Sequence, residues 1–171
     1  SSGQLGNGGA AISDHFPAKV PSLPLISDIY AWGYVQIAVA SPEAGSHEGY
    51  RWGSIWDTTP SNHPINFNVF TSFGVLKDFQ LFGNTQNEGA VSSSDGILTI
   101  KGSNKYGIIG NGVKGSGTSF NHKIKNVAGA VIGYSHICAW YQSGTAMCWG
   151  DNSYGQLGVG DLTERLVPTN V

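Results

Sequence analysis

The sequence predicts an all-β fold built from side-by-side sheets, each formed by one copy of a repeat. Three observations predict it. Glycine supplies 25 of the 171 residues, aromatic residues make up 11% while charged residues make up only 12%, and one pattern of glycine, asparagine and aromatics recurs along the chain. Glycine with aromatics suits short strands joined by tight turns, whereas long surface helices draw on Glu, Lys and Ala. The recurrence matters most, because a repeat that cannot bury its faces alone does so by stacking on a neighbour.

The clearest copy runs Cys148-Trp149-Gly150-Asp151-Asn152-Ser153-Tyr154-Gly155-Gln156-Leu157-Gly158 and ends in Pro168-Thr169-Asn170-Val171. An earlier copy, Gly102 to Gly112, matches Gly150 to Gly160 in register, with Asn104 at the place of Asn152 and Tyr106-Gly107 at that of Tyr154-Gly155. A degenerate copy places Arg51-Trp52-Gly53 against Cys148-Trp149-Gly150. Gly33, Gly83 and Gly133 are evenly spaced and mark the start of each unit. A half copy opens the chain, from Ser2-Gly3-Gln4-Leu5-Gly6 to Pro17-Ala18-Lys19-Val20. The expected organisation is one domain over 1–171, with a half repeat at 1–20, a degenerate repeat at 21–68, and repeats at 69–127 and 128–171.

The stretch Cys148 to Gly158 resembles the signature of regulator-of-chromosome-condensation repeats. The resemblance covers essentially the whole chain and is weakest from Ser54 to Phe67, where Ser-Ile-Trp-Asp-Thr-Thr-Pro replaces the Gly-Gln-Leu-Gly element. It implies β-propeller blades serving as an interaction platform. Members of that family include exchange factors for small GTPases, chromatin binders and secreted inhibitors of β-lactamases. Three and a half repeats do not close a ring, so the blades are expected to be part of a longer polypeptide or of an oligomer-completed propeller.

Residues recurring in every copy are assigned to the fold. Gly53, Gly102 and Gly150 follow the third strand where a side chain would clash, and Asn104 and Asn152 hold the next turn. The position three residues after each starting glycine carries Gln36, Gln86 and His136. Each of these side chains is able to satisfy backbone groups near a turn, so His136 reads as structural.

Cys138 and Cys148 are mirrored about Ser143, the middle of a hairpin turned by Gln142-Ser143-Gly144-Thr145. Opposed residues on antiparallel strands come close enough for a disulfide. That pairing points to an extracellular or cell-surface protein. The alternative is two reduced core cysteines sharing a hairpin.

No catalytic constellation emerges. The carboxylates are scattered beside Gly, Ser and Thr, no Gly-x-Ser-x-Gly elbow occurs, and Gly110 to Gly117 lacks the order of a phosphate loop. The protein is therefore expected to be no enzyme and to need no cofactor and no metal. A net charge of -2 argues against nucleic acid as partner, and the absence of a long apolar run argues against membrane insertion.

Function is sought where the copies differ. Val113 to Lys125 reads as an inserted loop, flexible and then basic, offering Lys114, His122, Lys123 and Lys125 to a partner. A solvated loop is the plainer reading. Tyr50, Arg51 and Trp56 form a second candidate surface, since Trp56 falls where the other copies carry Ser153 and Lys105; core filling competes with that reading. The expected function is a non-enzymatic protein–protein interaction scaffold. Its rivals are an assembly subunit that associates with copies of itself through blade edges and loops, and a propeller binding carbohydrate or another small ligand.

Overall fold

The computed structural model describes residues 19–20, 23–33, 35–40, 48–53, 61–68, 79–84 and 86–171. Most of the half repeat at 1–20, and Trp56, lie outside the described residues. Every regular element among them is a strand, and the chain forms two compact units, Ser1–Val75 and Leu76–Val171.

The first unit contains one sheet of β1 (Ile26–Trp32), β2 (Val35–Ala40), β3 (Glu48–Gly53) and β4 (Ser61–Asn68), in the order β1-β2-β3-β4. The second unit contains two more sheets of the same design. One is β5 (Phe79–Gly83), β6 (Asn87–Ser92), β7 (Ile97–Asn104) and β8 (Gly115–Ile124); the other is β9 (Val127–Ile132), β10 (His136–Tyr141), β11 (Ala146–Gly150) and β12 (Arg165–Asn170). Each sheet is an antiparallel meander whose neighbours in sequence are neighbours in space. A four-stranded meander repeated along the chain is a propeller blade.

The core of the second unit lies between its two sheets. Phe82, Val91, Leu98, Ile100, Ile108 and Ile109 of one meet Val127, Ala130, Ile137, Ala139 and Trp149 of the other, all buried. Side chains alternate across each strand, so β10 sends Ile137 and Ala139 into this core while Cys138 and Trp140 point to the opposite face. Each large aliphatic side chain buried in this way contributes about 1.5–3 kcal/mol. The Trp149 indole N–H donates to the carbonyl of Ile108 at 2.7 Å, so the largest side chain in the core also joins the sheets by a buried hydrogen bond.

The turn after the third strand is the same in both copies. The Asn104 Oδ1 accepts from the Ile109 N–H at 3.1 Å and its Nδ2 donates to the Val113 carbonyl at 2.7 Å. The Asn152 Oδ1 accepts from the Leu157 N–H at 3.0 Å and its Nδ2 donates to the Asp161 and Thr163 carbonyls at 2.8 and 3.1 Å. Both asparagines are fully buried. One amide thus closes a long loop that has no ladder of its own. Gly102 and Gly150 precede these turns at φ +124° and +108°, and a Cβ at Gly150 would meet the Ser135 carbonyl oxygen at 2.5 Å. Only glycine fits both the angle and the space.

Two expectations are corrected. Gly33, Gly83 and Gly133 all fall at the end of the first strand of a sheet, but they are not equivalent. The Gly133 N–H donates to the His136 carbonyl, and its counterpart is Asn84, whose N–H donates to the Asn87 carbonyl. The polar side chain beneath the turn in the second sheet is accordingly Asn87, buried and donating to the Ser103 carbonyl at 2.7 Å, not Gln86, which is exposed. The inserted loop at Val113 to Lys125 is also corrected: Gly115–Ile124 is β8, the outer strand of its sheet, pairing with β7 from Leu98↔Ile124 to Asn104↔Gly115.

Candidate functional site

In a four-stranded meander the first and third connections emerge at one end of the sheet. In the second unit that end gathers Asn84, Gln86 and residues 105–114 from one sheet with 133–135 and 151–164 from the next. The loops are tied together across the sheets. The Asn84 Nδ2 donates to the Gly133 carbonyl at 2.8 Å and to the Tyr134 carbonyl at 3.2 Å, and the Gly112 N–H donates to the Leu166 carbonyl at 2.9 Å. Lys114 and Glu164 add an ion pair across the same seam.

On this tied frame stand apolar and aromatic side chains in water. Tyr134 is 69% exposed, Leu162 67% and Val113 52%. Tyr106 lies beside Tyr134 with ring centroids 6.0 Å apart and planes at 52°, and the Lys105 Nζ sits 5.2 Å from the Tyr106 ring centroid. The pair is thus an aromatic contact with a cation over one of its rings, on loops fixed from below.

Acidic groups beneath the platform serve its loops. Asp151 accepts from the hydroxyls of Ser153 and Ser135 and from the Gln156 amide. Its carboxyl is held below the ordinary aspartate value chiefly by Ser153, against a smaller opposing effect of burial. Asp161 is lowered first by its hydrogen bond to Arg165. Among the described residues no group of three or more His, Cys, Asp or Glu side chains comes together to hold a metal.

The candidate contact residues are placed as follows. Tyr50 and Arg51 lie half-buried in β3, an inner strand paired on both sides, with Arg51 opposite Ile37 and Ile65. Lys114 is committed to Glu164. His122 is half-buried in β8, its Nδ1 3.1 Å from the Ile109 carbonyl oxygen. Lys123 and Lys125 are exposed at the opposite end of β8 from Lys114. Ten residues of strand at about 3.3 Å each separate the two ends by about 30 Å, so the four basic residues do not form one patch. Tyr134, Leu162 and Val113 were not singled out by the sequence. The signal lay in Tyr134 following Gly133 inside a first connection, where hairpin turns ordinarily carry small polar residues.

Cys138 and Cys148 face each other across β10 and β11 and are joined as a disulfide, with Cα atoms 4.2 Å apart.

Meanders of this form define a repeat protein of the β-propeller class. Residues 127–156 and 143–171 each match the Regulator of chromosome condensation (RCC1) repeat. Residues 127–171 thus carry RCC1-type repeat sequence. Human WBSCR16 is 16% identical with a TM-score of 0.63, over 85% of this chain and 37% of that one. Prp20p from Saccharomyces cerevisiae, described with its binding properties to Gsp1p and histones, is 16% identical with a TM-score of 0.63, over 85% and 38%. Yeast RCC1 (Prp20) bound to Kap60 gives 15% identity and a TM-score of 0.64, over 85% and 37%. The chain therefore spans less than two fifths of the length of each of these structures, and at such identities the likeness establishes a partial propeller fold.

The expected extracellular or cell-surface location is corrected. It rested on the Cys138–Cys148 bond, whereas the similar structures include one described with its binding to histones and one bound to Kap60. A bond within a single hairpin is weak evidence of export beside that.

Proposed function

We propose that the chain is a protein-binding scaffold, organised as RCC1-type repeats over 1–20, 21–68, 69–127 and 128–171, that binds another protein through the loop end of its second unit. The observation that carries this reading is the exposure of Tyr134, Leu162 and Val113 on loops at one end of two sheets that are hydrogen-bonded to each other. Interface centres are enriched in tyrosine and gain affinity when their side chains are held in place before binding. RCC1-type neighbours whose descriptions name Gsp1p, histones and Kap60 support protein as the partner class. Binding to nucleic acid or to a second copy of the chain is a separate outcome of the same experiment.

The test captures partners on the immobilised chain and compares it with Tyr134→Ala. The expected result is at least a tenfold loss of affinity for the captured protein, with Lys123→Ala leaving it unchanged. Equal binding by both variants would move the contact surface elsewhere. In this proposal the chain acts by binding and not by catalysis. RCC1-family proteins are typically guanine nucleotide exchange factors acting on Ran, so accelerated nucleotide release from such a GTPase on adding the chain would overturn that part.

A further inference from the structure

We infer that Asn111 is a deamidation site held in check by the seam between the second and third sheets, and that its conversion to aspartate and isoaspartate records each opening of that seam. Asn111 precedes Gly112, whose missing side chain leaves its backbone nitrogen unhindered for attack on the asparagine amide. Asn7-Gly8 is the other such pair in the sequence and lies outside the described residues. Asn111 is exposed on the connection between β7 and β8, and Gly112 stands at φ +87° with its nearest neighbour, Val167 Cγ1, 3.8 Å from the place of a Cβ. In the reaction the Gly112 nitrogen gives its proton to solvent base and bonds to Asn111 Cγ. The Cγ–Nδ2 bond breaks, Nδ2 leaves as ammonia, and a five-membered succinimide remains. Water then opens the ring at either carbonyl, giving aspartate or isoaspartate.

Two features of the structure act on this step in opposite directions. The Asn104 Nδ2 donates to the Asn111 Oδ1 at 3.1 Å, and the Val113 N–H donates to the same oxygen at 3.4 Å. Donors at that oxygen draw electron density from Cγ and stabilise the negative charge that forms there during attack. Against this, the Gly112 N–H donates to the Leu166 carbonyl at 2.9 Å. While that bond stands, the nitrogen keeps its proton and is aimed at the third sheet, so no nucleophile forms. The restraint decides the rate in the closed state, because the donors on Oδ1 act only after the nitrogen is released. Deamidation then proceeds at the fraction of time the seam is open multiplied by the rate in the open state. Two contacts hold the same stretch closed. Lys114 pairs with Glu164, and Leu166 Cδ2 covers Gly107, 2.5 Å from where a Cβ would stand. The third sheet carries Val159-Gly160 at this place and has no such amide. Isoaspartate routes the main chain through the former side chain, which adds one carbon before the Gly112 nitrogen and shifts its N–H off the Leu166 carbonyl. An opened seam is thereby marked irreversibly. This inference is read from peptide mass and does not rest on the loop-end binding proposed above.

The test incubates the full chain at neutral pH, folded and in urea, and follows the tryptic peptide 106–114, in which Asn111 is the one amide side chain. Hydrogen exchange at the Gly112 amide reads the seam directly. The expected result is deamidation at least tenfold slower in the folded chain than in urea. Leu166→Ala is expected to raise the deamidation rate and the Gly112 exchange rate at least threefold and by the same factor. Glu164→Gln, which removes only the ion pair, moves both in the same direction and serves where Leu166→Ala loses its β signal in circular dichroism. Equal rates in the folded chain and in urea overturn the protection. Faster Gly112 exchange without faster deamidation overturns the gate, and exchange unmoved by either variant overturns the part given to Leu166 and Glu164. Product that the protease Asp-N cleaves completely contains no isoaspartate and overturns the succinimide route.

Discussion

Replacing Asn152 by alanine removes one buried side chain that closes the whole turn from Asp151 to Thr163. Three hydrogen bonds go: that from the Leu157 N–H at 3.0 Å and those to the Asp161 and Thr163 carbonyls at 2.8 and 3.1 Å. A net worth of about 1 kcal/mol per bond gives about 3 kcal/mol, and the buried Leu157 N–H, left without an acceptor, raises the expected loss to about 3–5 kcal/mol. The turn has no ladder to fall back on, so the loss falls on the Leu157 plug and on the start of β12. Equilibrium urea unfolding followed by tryptophan emission measures it, since the Trp149 indole, buried between the two sheets of the unit, contributes to the signal. The midpoint falls while the slope stays constant if only stability has changed. Asn152→Asp is the control. Its carboxylate still accepts from Leu157 but confronts two carbonyl oxygens with no donor, so it is expected to cost at least as much as alanine at pH 7. A loss under about 1 kcal/mol for alanine, or an aspartate variant as stable as the parent, refutes the account of this turn as one amide serving three backbone groups.

Other consequences are measured in the same way. Trp149→Phe removes the donor to the Ile108 carbonyl as well as part of the packed ring, and is expected to cost about 2–4 kcal/mol in urea unfolding. Gly110→Ala combines a φ of +74° with a clash against the Trp149 ring and is expected to destabilise by more than about 2 kcal/mol, whereas Gly144→Ala, at φ +85° with open space, costs only about 1–2 kcal/mol. The folded Asp151 carboxyl titrates below its unfolded value, so its contribution is present above about pH 4 and is lost as pH falls through the folded value; Asp151→Asn is expected to flatten the acid limb of the stability profile, and a profile unchanged by the substitution counts against it. Reduction with dithiothreitol opens a loop closed by residues 10 apart and is expected to lower stability by about 2–3 kcal/mol while far-UV circular dichroism still reports the sheet, because β9 to β12 keep their backbone ladder.

Much of the fold was legible because the first part of the turn after the third strand is built alike in the second and third sheets. From Gly102 to Gly112 and from Gly150 to Gly160 the same glycines and the same asparagine stand in the same places, since each is fixed by a backbone angle or a buried bond. The first connection is less constrained. Its closing bond is made between backbone groups, Gly133 to His136 and Asn84 to Asn87, so the residue types drift. An accidental Gly83 one place before Asn84 was enough to shift the alignment by a residue. In the resulting register Gln86 stands where the buried Asn87 belongs. β8 was missed for another reason. Gly115-Ser116-Gly117 carries none of the β-branched residues that mark a strand, and it is drawn into the sheet by the free edge of β7, which a local reading does not see.

The rule that recurring residues serve the fold, and that function lies where repeats differ, holds for the asparagines and fails for the tyrosines. Tyr106 and Tyr154 occupy the same place in the repeat, yet one packs beside Tyr134 and the other stands in water. Nothing in either residue's local sequence distinguishes them; the difference is whether a neighbouring sheet is present to cover the position. Identity within a repeat therefore fixes what a side chain is shaped to meet, and exposure tells whether it has met it. By the same logic the contact proposed at Tyr134 rests on its environment: Tyr106 of the neighbouring loop lies beside it while most of the residue stays in solvent. In a stacked array the residues that matter for binding are found by comparing the environments of equivalent positions, and a change of residue type is only one of the ways in which those environments come to differ.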